Sequence, residues 1–288
     1  MLRSGRDDGK VADKGPRLDA AEEVEAADWF DQSKQPVVIS AEDGIQLHGW
    51  LFDPDCAGAK LHLYAICCHG YSGQPQDMAK YAHRFARLGF TVLVPALRGH
   101  GLSEGRYAGM GWLDRRDLMR WISLIIGSDA DARILLQGKS MGAAAVMMTV
   151  GEPDLPRNVV AAVEDCGYAS VVQQFIDCAR SMFHLPKFLA KPIVTTMGAI
   201  AQRRAGYGFQ EASCVEQLKH ATIPMLFIHG GADDFVPSRA LDENFDACAS
   251  IDRQKLLIPS AGHSMSASTA PVVYWKTVTN FVTRVFGL

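Results

Sequence analysis

The chain has 288 residues, 48% of them apolar and 21% charged, a composition that supports a large buried core and excludes a disordered or collagen-like polypeptide. Twenty-nine basic residues against 32 acidic ones leave a net charge of -3, which supplies no overall field for a nucleic acid or an anionic lipid. Six of the basic and nine of the acidic residues lie within residues 1–35, so that segment carries the whole imbalance and the remainder is neutral. It is polar, with Gly5, Gly9, Gly15 and Pro16 early and a short helical pattern over Ala20 to Phe30, and it reads as a tail.

From Pro36 the texture changes. Val37 to Ser40 and Ile45 to Phe52 flank Glu42-Asp43-Gly44, the signature of a β-hairpin. Short apolar runs of the kind found in fully buried parallel strands follow at Leu61 to Cys68, Phe90 to Pro95, Arg133 to Gln137, Val159 to Glu164, Met225 to His229 and Lys255 to Pro259. Between them, helical periodicity marks Asp77 to Leu88, Asp114 to Ile126, Met141 to Val150, Arg239 to Cys248 and Pro271 to Val285. This alternation predicts an α/β domain over residues 36–288, with an eight-stranded, mostly parallel sheet and helices on both faces. The interval 167–222 breaks the rhythm with two helical stretches, Ala169 to Phe183 and Lys187 to Arg204, and reads as a helical cap inserted after the sixth strand.

The strand Arg133 to Gln137 runs into Gly138-Lys139-Ser140-Met141-Gly142 and then an Ala-rich helix, the strand-turn-helix setting of a nucleophile elbow. A serine there projects from a sharp turn at a helix N-terminus, where backbone N–H groups favour developing negative charge. Its hydroxyl needs an imidazole to take the proton, and His263, in the loop between the last strand and the last helix, is the best placed of nine histidines. The carboxylate that orients the imidazole is expected at Asp233, in Asp233-Asp234-Phe235-Val236-Pro237, with Asp234 and Asp165 as rivals. Gly70 lets the backbone N–H of Tyr71 turn inward beside that of Met141, a pair of oxyanion donors. His69 reads as a brace for that loop.

Together the hairpin, His69-Gly70-Tyr71-Ser72-Gly73, Arg98-Gly99-His100-Gly101-Leu102-Ser103, the elbow, His229-Gly230-x-x-Asp233-x-x-Val236-Pro237 and Gly262-His263 resemble the α/β-hydrolase superfamily, and within it the bacterial esterases of the serine-aminopeptidase-like (S33-type) branch. The order Ser140, Asp233, His263 is the one that superfamily uses. The resemblance implies a carboxylesterase-type serine hydrolase, and a cap this short, with apolar helix faces, favours short to medium acyl or aryl esters. Peptidase, thioesterase or acyltransferase chemistry and a catalytically inactive binding module stand as alternatives. Ala96 departs from relatives that carry an Asp before the Arg-Gly-His-Gly turn, which puts the rigidity of that loop in question; Arg98 and His100 read as its scaffold. Met182, Phe183, Leu185 and Phe188 in the cap are the candidates for a substrate pocket.

The seven cysteines are odd in number, lack a Cys-x-x-Cys pair and read as reduced, mostly buried thiols. No metal site, cofactor loop or nucleic-acid partner is expected, and the partner is a small-molecule ester. With no membrane span and no secretory signal at the start, the expectation is a cytoplasmic protein. Oligomeric state is not readable from composition.

Overall fold

Strands that are apolar at nearly every position need cover on both faces, and the sheet of this protein has it. The computed structural model describes residues 16–288 apart from Ala59. Its strands are β1 (Gln35–Ser40), β2 (Gln46–Phe52), β3 (Leu63–Cys68), β4 (Thr91–Pro95), β5 (Arg133–Lys139), β6 (Val159–Asp165), β7 (Met225–Gly230) and β8 (Arg253–Ile258). They form one sheet in the order β1-β2-β4-β3-β5-β6-β7-β8. The β1–β2 hairpin and its junction with β4 are antiparallel, and every other pair is parallel.

The helices are α1 (Ala20–Ser33), α2 (Ala79–Arg87), α3 (Asp114–Ser128), α4 (Met141–Thr149), α5 (Val171–Phe183), α6 (Lys187–Ala205), α7 (Cys214–Leu218), α8 (Arg239–Ala247), α9 (Ser266–Thr269) and α10 (Pro271–Phe286). Along β5, Ile134 and Leu136 join the apolar cluster of α3, α4 and α8, while Leu135 joins that of α1, α2 and α10. The two clusters are the two halves of the core. None of the described helices is long and apolar enough to cross a membrane.

The eight-stranded sheet, the leading hairpin and the helical insertion after β6 agree with the sequence expectation, with α7 and α9 as short additions. Two readings change. The strand expected at Lys255 to Pro259 is not fully buried. As β8 it is an edge strand with Gln254, Lys255 and Leu257 exposed, and charged residues on an edge discourage pairing with another chain.

The second change concerns residues 1–35. Residues 1–15 lie outside the described residues, but α1 is not a loose tail. Ala26 and Phe30 are fully buried in the α2–α10 cluster, Phe30 with its ring 4.6 Å from that of Phe52. Buried Lys80 on α2 pairs with Asp19 and donates to Ser268 Oγ at 2.8 Å and Glu23 Oε1 at 3.1 Å. The high charge of this segment hid its docking face.

The loop after β4 keeps its shape without an Asp at position 96. Ser103 Oγ donates to the carbonyl of Ala96 at 2.7 Å and accepts from the His48 N–H at 2.9 Å. Arg98 forks onto Asp117 at 2.6 and 2.7 Å and reaches Asp43 at 2.9 Å.

If α1 is part of the folded domain, Phe30→Ala should cost about 3–5 kcal/mol, the usual range for emptying a buried Phe site. Urea unfolding measures it, and a loss below about 1 kcal/mol would mean that α1 adds little to the fold.

Candidate active site

The order of the strands brings the functional side chains to one edge. β3 lies between β4 and β5, so the chain crosses over at the β3/β5 pair, and the crevice at the carboxyl ends of such strands is where open α/β sheets bind ligands. Cys68 is in register with Gly138, which sets the loop after β3 directly beside the turn after β5.

Ser140 occupies that turn at φ 56° and ψ -118°, a conformation L residues rarely adopt, and then opens α4. The glycines on either side are required by packing. A Cβ on Gly138 would run into the carbonyl of Gly142, and one on Gly142 into the carbonyl of Cys68. The Ser140 N–H is held by the Asp165 carbonyl at 2.8 Å.

The loops after β5, β7 and β8 each add a member. Ser140 Oγ lies 2.8 Å from His263 Nε2, and His263 Nδ1 lies 2.7 Å from Asp233 Oδ2. With the proton on Nδ1, the imidazole donates to Asp233 and accepts from Ser140. The Asp233 side chain is wholly buried, and its other oxygen accepts from the N–H groups of Phe235 at 3.0 Å and Val236 at 2.8 Å. Buried His229 adds a fourth contact, its Nε2 3.3 Å from Asp233 Oδ2 and 3.0 Å from the Val236 carbonyl. Burial opposes charge on Asp233, but hydrogen bonds from His229 and His263 outweigh it and hold the carboxyl down to about 2.

The rival acids go elsewhere. Asp234 is exposed, and Asp165 accepts from the Tyr274 hydroxyl at 2.9 Å rather than from His263. His69 is the expected brace: its Nδ1–H donates to the Gly70 carbonyl at 2.8 Å and its Nε2 accepts from the Leu97 N–H at 3.1 Å. Burial, with the neighbouring His100, lowers its pKa to about 3, so it stays neutral.

A cavity of about 640 Å³ opens over Ser140 and His263, and Tyr71 and Met141 line it with them. Gly70 brings the β3 loop against the serine, since a Cβ there would sit 3.1 Å from Ser140 Cβ. Of the four cap candidates only Met182 lines the cavity. Phe183 and Phe188 are exposed on the outside of the cap, and Leu185 packs against the core instead. The apolar wall is built by Met110, Tyr168, Phe175, Cys178, Met182 and Phe235. Polar side chains also line the cavity: Glu23, Gln76, Asp77, Lys80 and Ser268, with Arg17, and Ala27 of α1. The α1 residues in this lining were missed in the sequence, where nothing marks a charged helix as part of a distant cavity.

Cys166 Sγ, Asp233 and His263 offer ligand atoms within 4.8 Å of one another. Burial pushes the Cys166 thiol well up, and both nitrogens of His263 are already engaged. A cation there would have to displace the hydrogen bonds just described. Six of the seven cysteines are buried and all seven are free.

Residues 61–203 match the family model described as serine aminopeptidase, S33. Among curated proteins, YqkD of Bacillus subtilis is 26% identical over 255 residues, covering 88% of this chain and 81% of that one. YfhR of Escherichia coli K12 is 26% identical over 239 residues, covering 80% and 74%. Among solved structures, the Pyrococcus furiosus esterase Pf2001 superposes with a TM-score of 0.72 at 18% identity over 99% of this chain and 98% of that one. The acylaminoacyl peptidase of Pyrococcus horikoshii gives 0.61 at 15% identity over 88% of this chain and 42% of that one. The fold is that of the α/β-hydrolases, and residues 61–203 match the S33-type branch. It is an enzyme of the hydrolase kind.

One buried acid near this chain of hydrogen bonds gives a pH test. Burial pushes Glu164 from its ordinary 4.5 up to about 8, against the opposing pull of His229 and the Gly167 N–H. A carboxyl neutral in the fold but ionised in the unfolded chain contributes stability that is complete below pH 4.5 and lost as the pH rises to about 8. Glu164→Gln should flatten that decline in the urea-unfolding free energy. A slope equal to the parent's would mean that Glu164 titrates normally.

Proposed function

We propose that the protein hydrolyses carboxylic esters by two-step acyl transfer. The observation that carries this reading is the unbroken hydrogen-bonded chain Ser140–His263–Asp233 on a strained elbow facing the cavity. His263 takes the Ser140 proton as Oγ attacks the ester carbonyl, and the imidazolium that forms is stabilised by charged Asp233. The oxyanion rests on the N–H groups of Tyr71 and Met141, the latter at the start of α4, where the first amides have no partner within the helix. His263 then protonates the leaving alcohol. Water, deprotonated by the same imidazole, attacks the acyl-enzyme, the acyl–Oγ bond breaks, and Ser140 recovers its proton as the acid departs.

The cavity supports a small to medium substrate with an apolar acyl or aryl group on the cap side and a more polar group toward α1. Neutrality of residues 36–288 supports an uncharged scissile region. A panel of p-nitrophenyl esters and aminoacyl anilides tests the class. Ester turnover well above anilide turnover is expected, and the reverse preference would make the protein a peptidase.

Two substitutions test the roles. Ser140→Ala should lower kcat/KM by at least about a thousandfold and abolish labelling by a fluorophosphonate probe. Activity within tenfold of the parent would overturn the assignment. Asp233→Asn should cost at least about a hundredfold while Asp234→Asn stays within about threefold. Equal losses would mean that Asp233 is not the orienting acid.

A further inference from the structure

The cap carries a surface that neither the core nor the cavity uses. On α5, the α5–α6 turn and α6, the side chains of Phe183, Phe188, Leu189, Ile193 and Ile200 are exposed, Phe183 by 61% and Phe188 by 75%. Leu189, Ile193, Met197 and Ile200 recur at helical spacing and share one side of α6, beside the buried row Ala190, Val194, Gly198 and Ala201 that holds the helix down. An exposed apolar stripe of this length marks a surface that meets something.

Charge says what it meets. Between residues 180 and 204 there are five cations, Arg180, Lys187, Lys191, Arg203 and Arg204, and no acid, and all five are exposed. The overall -3 conceals this, because the acids compensating for it lie elsewhere in the chain. A second copy is disfavoured as the occupant, since a self-complementary interface would set five cations against the same five. Apolar side chains that enter an acyl layer, flanked by lysines and arginines at headgroup level, are the two signals that together hold a helix on an anionic bilayer.

We propose that the outer face of the α5–α6 cap docks on anionic lipid bilayers, with Phe183, Phe188, Leu189, Ile193 and Ile200 entering the interface and the five cations binding headgroups. Met182 belongs both to the exposed rim of this face and to the lining of the cavity, so docking sets the cavity mouth against the membrane. The docking does not depend on the chemistry proposed for Ser140.

The test is flotation of the full chain with vesicles of phosphatidylglycerol and phosphatidylcholine against vesicles of phosphatidylcholine alone. Binding to the anionic vesicles is expected to exceed binding to the neutral ones at least tenfold and to weaken at least fivefold in 0.5 M salt. Lys187→Glu/Lys191→Glu/Arg203→Glu and Leu189→Glu/Ile193→Glu should each bind at least tenfold less, and Leu189→Ser/Ile193→Ser, a milder apolar change, should also bind less. All should keep the parent's thermal melting temperature within a few degrees. Ser140→Ala should bind like the parent, which separates docking from hydrolysis. No vesicle binding, equal binding to neutral vesicles, or unchanged binding by both sets of variants would overturn the proposal. So would a concentration-dependent dimer abolished by the same substitutions, since the face would then be an interface between copies.

Discussion

The turn at Ser140 places a demand on everything around it. A serine at φ 56° costs about 1–3 kcal/mol and persists only where its surroundings leave no alternative. Here the surroundings are the close contact of β5, α4 and the end of β3: Gly138 against Gly142, Gly142 against the Cys68 carbonyl, and the serine N–H held by Asp165. These contacts exist because α4 is buried along its whole length between the sheet and α3, with small residues, Ala143 to Ala145, that let backbones approach. The strain is maintained by the core, and in return the hydroxyl is held clear of the sheet.

The second constraint is electrostatic. Asp233 is a carboxylate with no exposed side-chain surface, a situation that normally favours protonation. It stays charged because two backbone N–H groups and two histidines converge on it. Other buried groups without that set of donors lose their charge to burial: Glu164 is pushed up to about 8, Asp165 is also raised, and His69 is lowered to about 3. One ionised acid is retained where the proposed chemistry needs it, while Glu164, Asp165 and His69 are poised toward neutrality.

Charge distribution also separates the two ends of the molecule. The α1 segment is rich in acids, yet it is docked through Phe30 and the Lys80–Asp19 pair and supplies one wall of the cavity. The cap is cationic and apolar outside. A net charge describes neither, because fields at a surface are set by the charges within about 10 Å.

The strands, the elbow and the loop histidine were legible in the sequence because each is a local pattern. Continuous apolar runs mark strands covered on both sides, and glycines two residues either side of Ser140 mark a turn that tolerates no Cβ. Asp233 could be ranked but not separated from Asp234 and Asp165, because which acid meets His263 depends on how the loops after β7 and β8 fold together. The pocket residues were misplaced for a related reason. Phe183 and Phe188 have the composition of a substrate wall, but helical spacing does not say which of two apolar sides faces inward, and it is Phe175 of α5 and Gly198 of α6 that meet Phe209, leaving Phe183 and Phe188 exposed. The docking of α1 was hidden altogether, since Phe30 and Asp19 meet partners from β2 and α2, far along the chain. Local chemistry is written in neighbouring residues, whereas the walls of a cavity are contacts between distant ones, and those form only when the chain closes on itself.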